Sequence, residues 1–421
     1  MAANTSRDHH GSHGSLLCAG DSGQTGRIDA IIVPTVRHPV SLAPAAELAE
    51  ALGCTLVTLH SKRWTSADKA APFLPRSVDL VAIDVPEIAQ LNLPHETARC
   101  LPLKVFPRLQ NFPRTDLAAK RNLGLVLSRL LGWSRIMFLD DDITELNPDD
   151  VRRASGLLDI HNAVGLHVCG CHDHSMVCHA YRDAGGSQQS FIGGGALVVH
   201  AERTRSFFPE IYNDDWFFLL DGDKGLQPAA VTGRVVQYPY DPFRPERARA
   251  EEFGDVLAEG IYWLLDQGLP LDRADQKHWT TFLNMRKLFI ERVLDMVARD
   301  PNLTLAEKGQ RSEALRESLG RLRLITPGLC EDYIRAWHAD RQTWQGHLDS
   351  LPTGLDRTSA LSEMTRKGAP ALYARHRGQA SRPLAADAAP SRATRIDRSC
   401  PQITPAPEPA PAGAELAGHL S

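Results

Sequence analysis

The chemistry-bearing stretch of this chain is Ile136-Met137-Phe138-Leu139-Asp140-Asp141-Asp142, an apolar run that stops abruptly at three carboxylates. Four bulky apolar residues read as a buried strand, and an open α/β sheet gathers its ligand chemistry beyond the carboxyl ends of its strands. Adjacent acids at such a place repel one another unless something cationic neutralises them. Mg²⁺ or Mn²⁺ suits their hard oxygens and can share its shell with a diphosphate. The competing reading is a solvated acidic turn capping the next helix, because Asn147-Pro148-Asp149-Asp150 has the composition of a helix start.

A second acidic pair, Asp214 and Asp215, sits just before aromatic and aliphatic residues in Asn213-Asp214-Asp215-Trp216. Partial desolvation there would raise a carboxyl pKa toward the strength of a general base. A helix N-cap by Asn213 or Asp214 is the competing role, and the two can coexist. Gly193-Gly194-Gly195 precedes another apolar run, and consecutive glycines let backbone approach a ligand closely, or simply form a tight turn. The run His167, Cys169, Cys171, His172, His174, Cys178, His179 has zinc-type ligands at poor spacing, with no paired Cys-x-x-Cys, so buried thiols and site-edge histidines are preferred.

Strand and helix patterns alternate around these residues. Strands are expected at 28–33, 55–59, 78–83, 136–139, 163–168, 176–180 and 196–199, with helices at 44–52, 115–131 and 149–160. Such alternation implies a mostly parallel, Rossmann-like sheet covered by helices on both faces. Its carboxyl-end loops would bring Pro34-Thr35-Val36-Arg37, Asp84 and the acids at 140–142 to one edge, an arrangement suited to a nucleotide. Beyond 247 amphipathic helices are expected at 249–266, 277–299, 303–323 and 328–348. These patterns divide the chain into a flexible arm at 1–26, an α/β domain at 27–246, a helical extension at 247–350 and a disordered Pro/Ala-rich tail at 351–421.

The chain has 421 residues, 43% hydrophobic and 23% charged, enough for a large core. Its net charge of -4 gives no general pull toward nucleic acid or anionic membrane. No apolar run approaches the ~20 residues that span a bilayer. The polar N-terminus lacks the layout of a secretory signal, and eight scattered cysteines fit reduced thiols, so a cytoplasmic location is expected.

The order of features from about 28 to 240 resembles the GT-A fold of nucleotide-sugar glycosyltransferases, family 2 type. The matching pieces are the strand ending at Pro34, Ala119-Lys120-Arg121-Asn122-Leu123-Gly124, Phe138-Leu139-Asp140-Asp141-Asp142 as the Asp-x-Asp motif, Gly193-Gly194-Gly195, and Asn213-Asp214-Asp215-Trp216. The resemblance implies hexosyl transfer from a nucleotide-diphosphate sugar to an acceptor hydroxyl, inversion being preferred. It implies that Asp140 and Asp142 hold Mg²⁺ or Mn²⁺. Pro34, Arg37, Asp84, Lys120, Arg121 and Asp140 would surround the nucleotide, and Gly194 and Gly195 the donor or acceptor sugar. The family writes its acidic pair with Glu first and the base second, which favours Asp215 over Asp214 as base; here Asp214 replaces the Glu. A downstream histidine often completes the metal shell, but His278 stands in no convincing motif.

Two other functions compete. Asp140-Asp141-Asp142-Ile143-Thr144 fits the Asp-x-Asp-x-Thr signature of haloacid-dehalogenase-type phosphatases, with Asp140 as nucleophile and Asp142 as acid/base, although that motif normally ends the first strand. A sugar-phosphate nucleotidyltransferase would carry a glycine-rich loop where Pro34-Thr35-Val36-Arg37 has none. A non-catalytic carbohydrate-binding protein would keep the sheet without metal-dependent nucleotide binding. The extension is open to two roles, closing over a small-molecule, glycan or lipid acceptor, or self-association into a homo-oligomer.

Overall fold

Strands β2 (Ala30–Thr35) and β3 (Thr55–His60) are buried from end to end, which suits apolar runs covered on both faces. The computed structural model describes residues 13–19, 23–61, 65–94, 116–170, 175–188, 191–222, 225–369 and 372–377. Ahead of β2 comes the short β1 (Cys18–Ala19); α1 (Ala43–Leu52) joins β2 to β3. Then follow α2 (Ala67–Phe73), β4 (Asp79–Asp84), α3 (Leu117–Leu131) and β5 (Arg135–Leu139). The chain continues through β6 (Ile143–Thr144), α4 (Pro148–Leu157), β7 (Ala163–Gly170), α5 (Met176–Asp183), β8 (Ala196–His200), α6 (Asp214–Phe218) and β9 (Ala229–Gln237). Four long helices come next, α7 (Pro245–Asp266), α8 (Gln276–Arg299), α9 (Leu305–Leu322) and α10 (Pro327–Ser350), before α11 (Arg357–Glu363) and β10 (Tyr373–Arg377).

Nine strands lie in the order β1-β9-β7-β8-β5-β2-β3-β4-β10, and β6 pairs with β9 outside that row. Strands β8, β10 and β6 run against the other seven, so the sheet is mixed but mostly parallel. The period of two along each strand sends alternate side chains to two cores. Ile32, Val57, Phe138 and Leu197 join α3, α5 and α7 on one face, whereas Ile31, Leu56, Met137 and Val198 join α1, α2 and α4 on the other. Gly124 lets α3 settle directly on the sheet, since a Cβ there would stand 3.0 Å from Ile32 and 3.1 Å from Phe138.

Local rules explain most helix ends. Asn147 caps α4 by accepting from the Asp149 amide, and Thr304 and Glu307 close α9 with a reciprocal capping box. Ser175 likewise accepts from the Cys178 amide, and residues 176–180, expected as a strand, form α5 instead. Their apolar run is too short for periodicity to separate strand from buried helix, and the cap decides it. Strand β9 escaped the pattern because Thr232, Gly233 and Arg234 interrupt its apolar run. Gly233 adopts φ +62°, the partner β7 shifts register between Gly165 and His167, and the Arg234 amide donates to Asp150.

The expected segment boundaries also move. Part of the arm assigned to 1–26 is structured: β1 pairs parallel with β9, and buried His13 packs against Phe191, Trp216 and Tyr262 with its ring bonded to Asp266 at 2.5 Å. The tail assigned to 351–421 contains α11, capped by Asp356, and β10, which pairs antiparallel with β4 from Tyr373↔Asp84 to Arg377↔Leu80. A strand can gain its hydrogen bonds from a neighbour with little apolar content of its own, which composition does not reveal. The helices after 247 share an apolar core with the sheet through Phe253, Val256, Leu257 and Tyr262. Among the described residues no helix is long and apolar enough to cross a membrane, and Cys54, Cys169, Cys178 and Cys330 are free thiols.

Candidate functional site

The chain adds β3 and then β4 on one side of β2 and returns to place β5 on the other side. The segments leaving β2 and β5 meet beyond the carboxyl ends of these adjacent parallel strands, the edge where open α/β sheets gather ligand chemistry. Thr35 to Arg37 close β2 and Asp140 to Asp142 follow β5, so the two segments lie side by side at this edge.

The three acids are held apart by different partners. Asp141 accepts from the Thr35 hydroxyl at 2.5 Å and pairs with Arg37 Nε at 3.0 Å. Asp142 pairs with Arg37 Nη2 at 2.9 Å, and its Oδ1 is buried without a hydrogen-bond partner. Asp140 takes both its bonds from Arg121 Nη2, at 3.0 and 3.2 Å. Burial and then the Asp140 charge push Asp142 up to about 6, against the opposing pull of Arg37. Burial likewise raises Asp141, with Thr35 and Arg37 acting the other way. The helix that follows is capped by Asn147, with β6 intervening, so the acids are not its cap.

Because β8 runs antiparallel to β5, its N-terminal end brings the glycines beside the acids, with the Asp140 amide donating to the Gly195 carbonyl at 2.9 Å. A Cβ on Gly194 would stand 2.7–2.8 Å from the Arg121 guanidinium, and one on Gly195 would stand 3.3 Å from Asp140 Oδ2. The glycines thus make room for a buried arginine and a carboxylate.

Arg121 is the hub. Nearly inaccessible on α3, it spans from Asp140 to Asp214 Oδ1 at 2.9 Å and lies over the Phe208 ring at 5.4 Å. Phe208 is in turn fixed by reciprocal 2.8 Å bonds with the Asn122 side chain. Asp214 Oδ2 is buried without a partner, whereas Asp215 uses both oxygens, accepting from the Gly194 amide at 2.6 Å and the Trp216 amide at 2.9 Å. Burial, the largest influence, pushes Asp214 up to about 7 against Arg121, and it also raises Asp215. Asn213 precedes α6 in the left-handed region at φ +63° and makes no side-chain cap, in contrast to the expected capping role.

The expected site residues fall into three directly bonded sets, Arg37 with Asp142, Arg121 with Asp140 and Asp214, and Gly194 with Asp215, with Gly195 in contact through Asp140. Lys120 is tied to the same corner, donating to the Thr35 carbonyl at 2.9 Å and Ser61 at 2.7 Å beside an ion pair with Asp116 at 3.1 Å. Pro34 is the penultimate residue of β2. Asp84 lies level with Thr35 but two strands away, and its Oδ1 accepts from the Ala67 amide at the start of α2 at 2.7 Å. His278 bonds to the Gly260 carbonyl and stacks on Trp263 within the helical part. In the Cys/His run, Cys178 lies 3.8 Å from Glu259 Oε1 and His179 bonds to Tyr240, while Cys171, His172 and His174 fall outside the described residues. Thr35, Asp141 and Asn213 were placed by the sequence at the sheet edge, in the acidic run and before a helix, but their individual partners were missed, because spacing does not show what each side chain bonds.

Among the described residues no group of three or more His, Cys, Asp or Glu side chains forms a metal cage. The two flanking acids supply hard oxygens, and the unpartnered Oδ1 of Asp142 gives a donor to a cation that brings further ligands of its own, as Mg²⁺ does with phosphates. No protein-family model matches the chain, and no curated protein sequence matches it significantly, so a functional reading stands on this geometry.

Proposed function

We propose that this protein is a metal-dependent glycosyltransferase of the GT-A type, moving a sugar from a nucleotide diphosphate to an acceptor hydroxyl. The observation that carries the reading is the meeting of two acidic groups, at 140–142 and 214–215, through buried Arg121, which pairs with Asp140 and Asp214 at the carboxyl end of β5. One group can face a diphosphate and the other a proton donor, which a binding module would not need. Both raised carboxyls, Asp142 at about 6 and Asp214 at about 7, are strained in the way functional sites are.

Mg²⁺ or Mn²⁺ held by Asp140 and Asp142 would supply positive charge to the departing diphosphate. Arg37, about half exposed, can exchange its carboxylate partners for phosphate oxygens. Asp214 takes the acceptor hydroxyl proton through its unpartnered Oδ2 while the acceptor oxygen bonds to the anomeric carbon. The bond from that carbon to the diphosphate breaks, and the electron pair leaves with the nucleotide. Asp215, with both oxygens engaged by backbone amides, fixes the Gly194 loop against α6. This exchanges the roles that the motif order favoured. Arg121 keeps Asp140 and Asp214 apart and opposes protonation of the base. The phosphatase alternative would place its motif at the end of the first strand, whereas Asp140 follows β5, after four earlier strands.

Calorimetric titration of UDP-, GDP- and dTDP-sugars into the full chain, with and without Mn²⁺, tests the reading. Binding of one nucleotide class that requires the metal is expected. No metal-dependent binding of any of the three would refute it.

A further inference from the structure

Helix α7 grips the catalytic turn at three points. Gly254 packs against the backbone of residue 212, where a Cβ would lie 2.2 Å from the Tyr212 carbonyl oxygen. One residue on, Asp255 Oδ1 accepts from Asn213 Nδ2 at 2.9 Å. Two turns further, the Tyr262 hydroxyl donates to the Trp216 carbonyl at 2.9 Å. These contacts bracket Asp214 and Asp215 on both sides.

Asp255 is itself held from behind. Its Oδ2 lies 3.3 Å from Arg286 Nη2 of α8, and the same fully buried guanidinium bonds Glu252 twice at 3.0 Å and Glu259 at 2.7 Å. Three carboxyls against one arginine exceed charge balance in a fully buried site, so burial with repulsion from Glu259, Glu252 and Glu251 drives Asp255 well above the usual carboxylate range. Buried ion clusters are poor stabilisers compared with apolar packing, which makes the outward bond from Asp255 to Asn213 the feature that needs a reason.

We propose that Asp255 is a positioning residue for the Asp214–Asp215 pair: Arg286 fixes one of its oxygens while the other holds Asn213 in the left-handed conformation that aims Asp214 at Arg121. The helical extension is then part of the catalytic apparatus, the link running from α8 through α7 to the turn before α6. Asparagine tolerates the left-handed region better than most side chains, and because Asn213 makes no helix cap its amide serves the bond to Asp255, which glycine could not make. The inference rests on the role given to Asp214 above.

Two variants of the full chain test it. Asn213→Gly permits the same φ without strain but removes the tether that selects it, and Asp255→Asn removes the acid while preserving shape. The titration of Asp214, which faces Arg121, Asp215 and Asp140, is followed by carboxyl ¹³C NMR together with thermal unfolding, Mn²⁺·UDP binding and turnover. The expected result is a midpoint for Asp214 displaced by at least about one pH unit, turnover lower on the order of 10²-fold and nucleotide affinity changed by less than about threefold. An unmoved midpoint in folded Asn213→Gly overturns the proposal, as does an equal loss of affinity and turnover. Should Asp255→Asn fail to fold, Asn213→Gly decides alone. If the wild-type protein transfers no sugar, the midpoint still decides whether Asp255 positions Asp214, and only the glycosyltransferase reading falls.

Discussion

Replacing Asp142 by Asn should make the ligand-free protein more stable at alkaline pH while abolishing metal-dependent nucleotide binding. The side chain is mostly buried, lies near Asp140 and Asp141, and has its carboxyl raised from 3.8 to about 6. A carboxyl raised on folding binds its proton more tightly in the native state than in the unfolded chain. The fold is therefore penalised for ionising it, by nothing well below 3.8, progressively more between 3.8 and about 6, and by a constant amount above. That amount is about 3 kcal/mol at pH 8 and about 1 kcal/mol at pH 4.5. The attraction of Arg37 is already contained in it, because the displaced value is the resultant of burial, like charges and Arg37. Asn removes the ionisation and nearly keeps the shape. Asp142→Asn should thus gain up to about 3 kcal/mol over wild type at pH 8, a rise of several degrees in Tm, and much less at pH 4.5. Urea unfolding at the two pH values, without metal, measures the difference, and calorimetry with Mn²⁺ and UDP measures the loss of binding. A variant less stable than wild type at pH 8, or an equal effect at both pH values, would refute the reasoning, since an acid that serves the fold loses stability when removed.

Three further outcomes follow from the same geometry. Arg121→Met withdraws the positive charge that opposes protonation of Asp214, so the acid limb of the kcat profile should move to higher pH, with activity partly regained above pH 8; an unmoved limb counts against Arg121 as the hub. Gly194→Ala inserts a methyl 2.7–2.8 Å from that guanidinium, and turnover should fall on the order of 10²-fold with Tm little changed; wild-type turnover would show that the glycine only makes a turn. Asp214→Asn should lower kcat with donor KM nearly constant, whereas Asp215→Asn, which loosens the Gly194 loop, should disturb both; steady-state kinetics showing the reverse pattern would return the base to Asp215.

The sequence alone determined the elements that announce themselves by local chemistry. Apolar runs at 28–33, 55–59 and 136–139 read as strands, found at 30–35, 55–60 and 135–139, and their alternation with amphipathic helices implied a mostly parallel sheet with the Asp140 to Asp142 run at a strand's carboxyl end. The acidic pair before Trp216 and the glycines before β8 were visible as compositions that a plain core would not carry. Tertiary structure decided what those groups face. Arg121 reads as a phosphate ligand in a helix pattern, yet folding places it between Asp140 and Asp214, some twenty and ninety residues away. Asn213 and Asp255 lie 42 residues apart on different elements, and nothing in either neighbourhood hints at their bond. Strand β10 and residues 13–19 took their places from the partners they found, β4, β9 and the rings around His13. The reason is common to all of these: periodicity reports which side of an element meets the core, while the identity of a side chain's partner depends on how separate elements dock, and docking leaves no trace in local spacing.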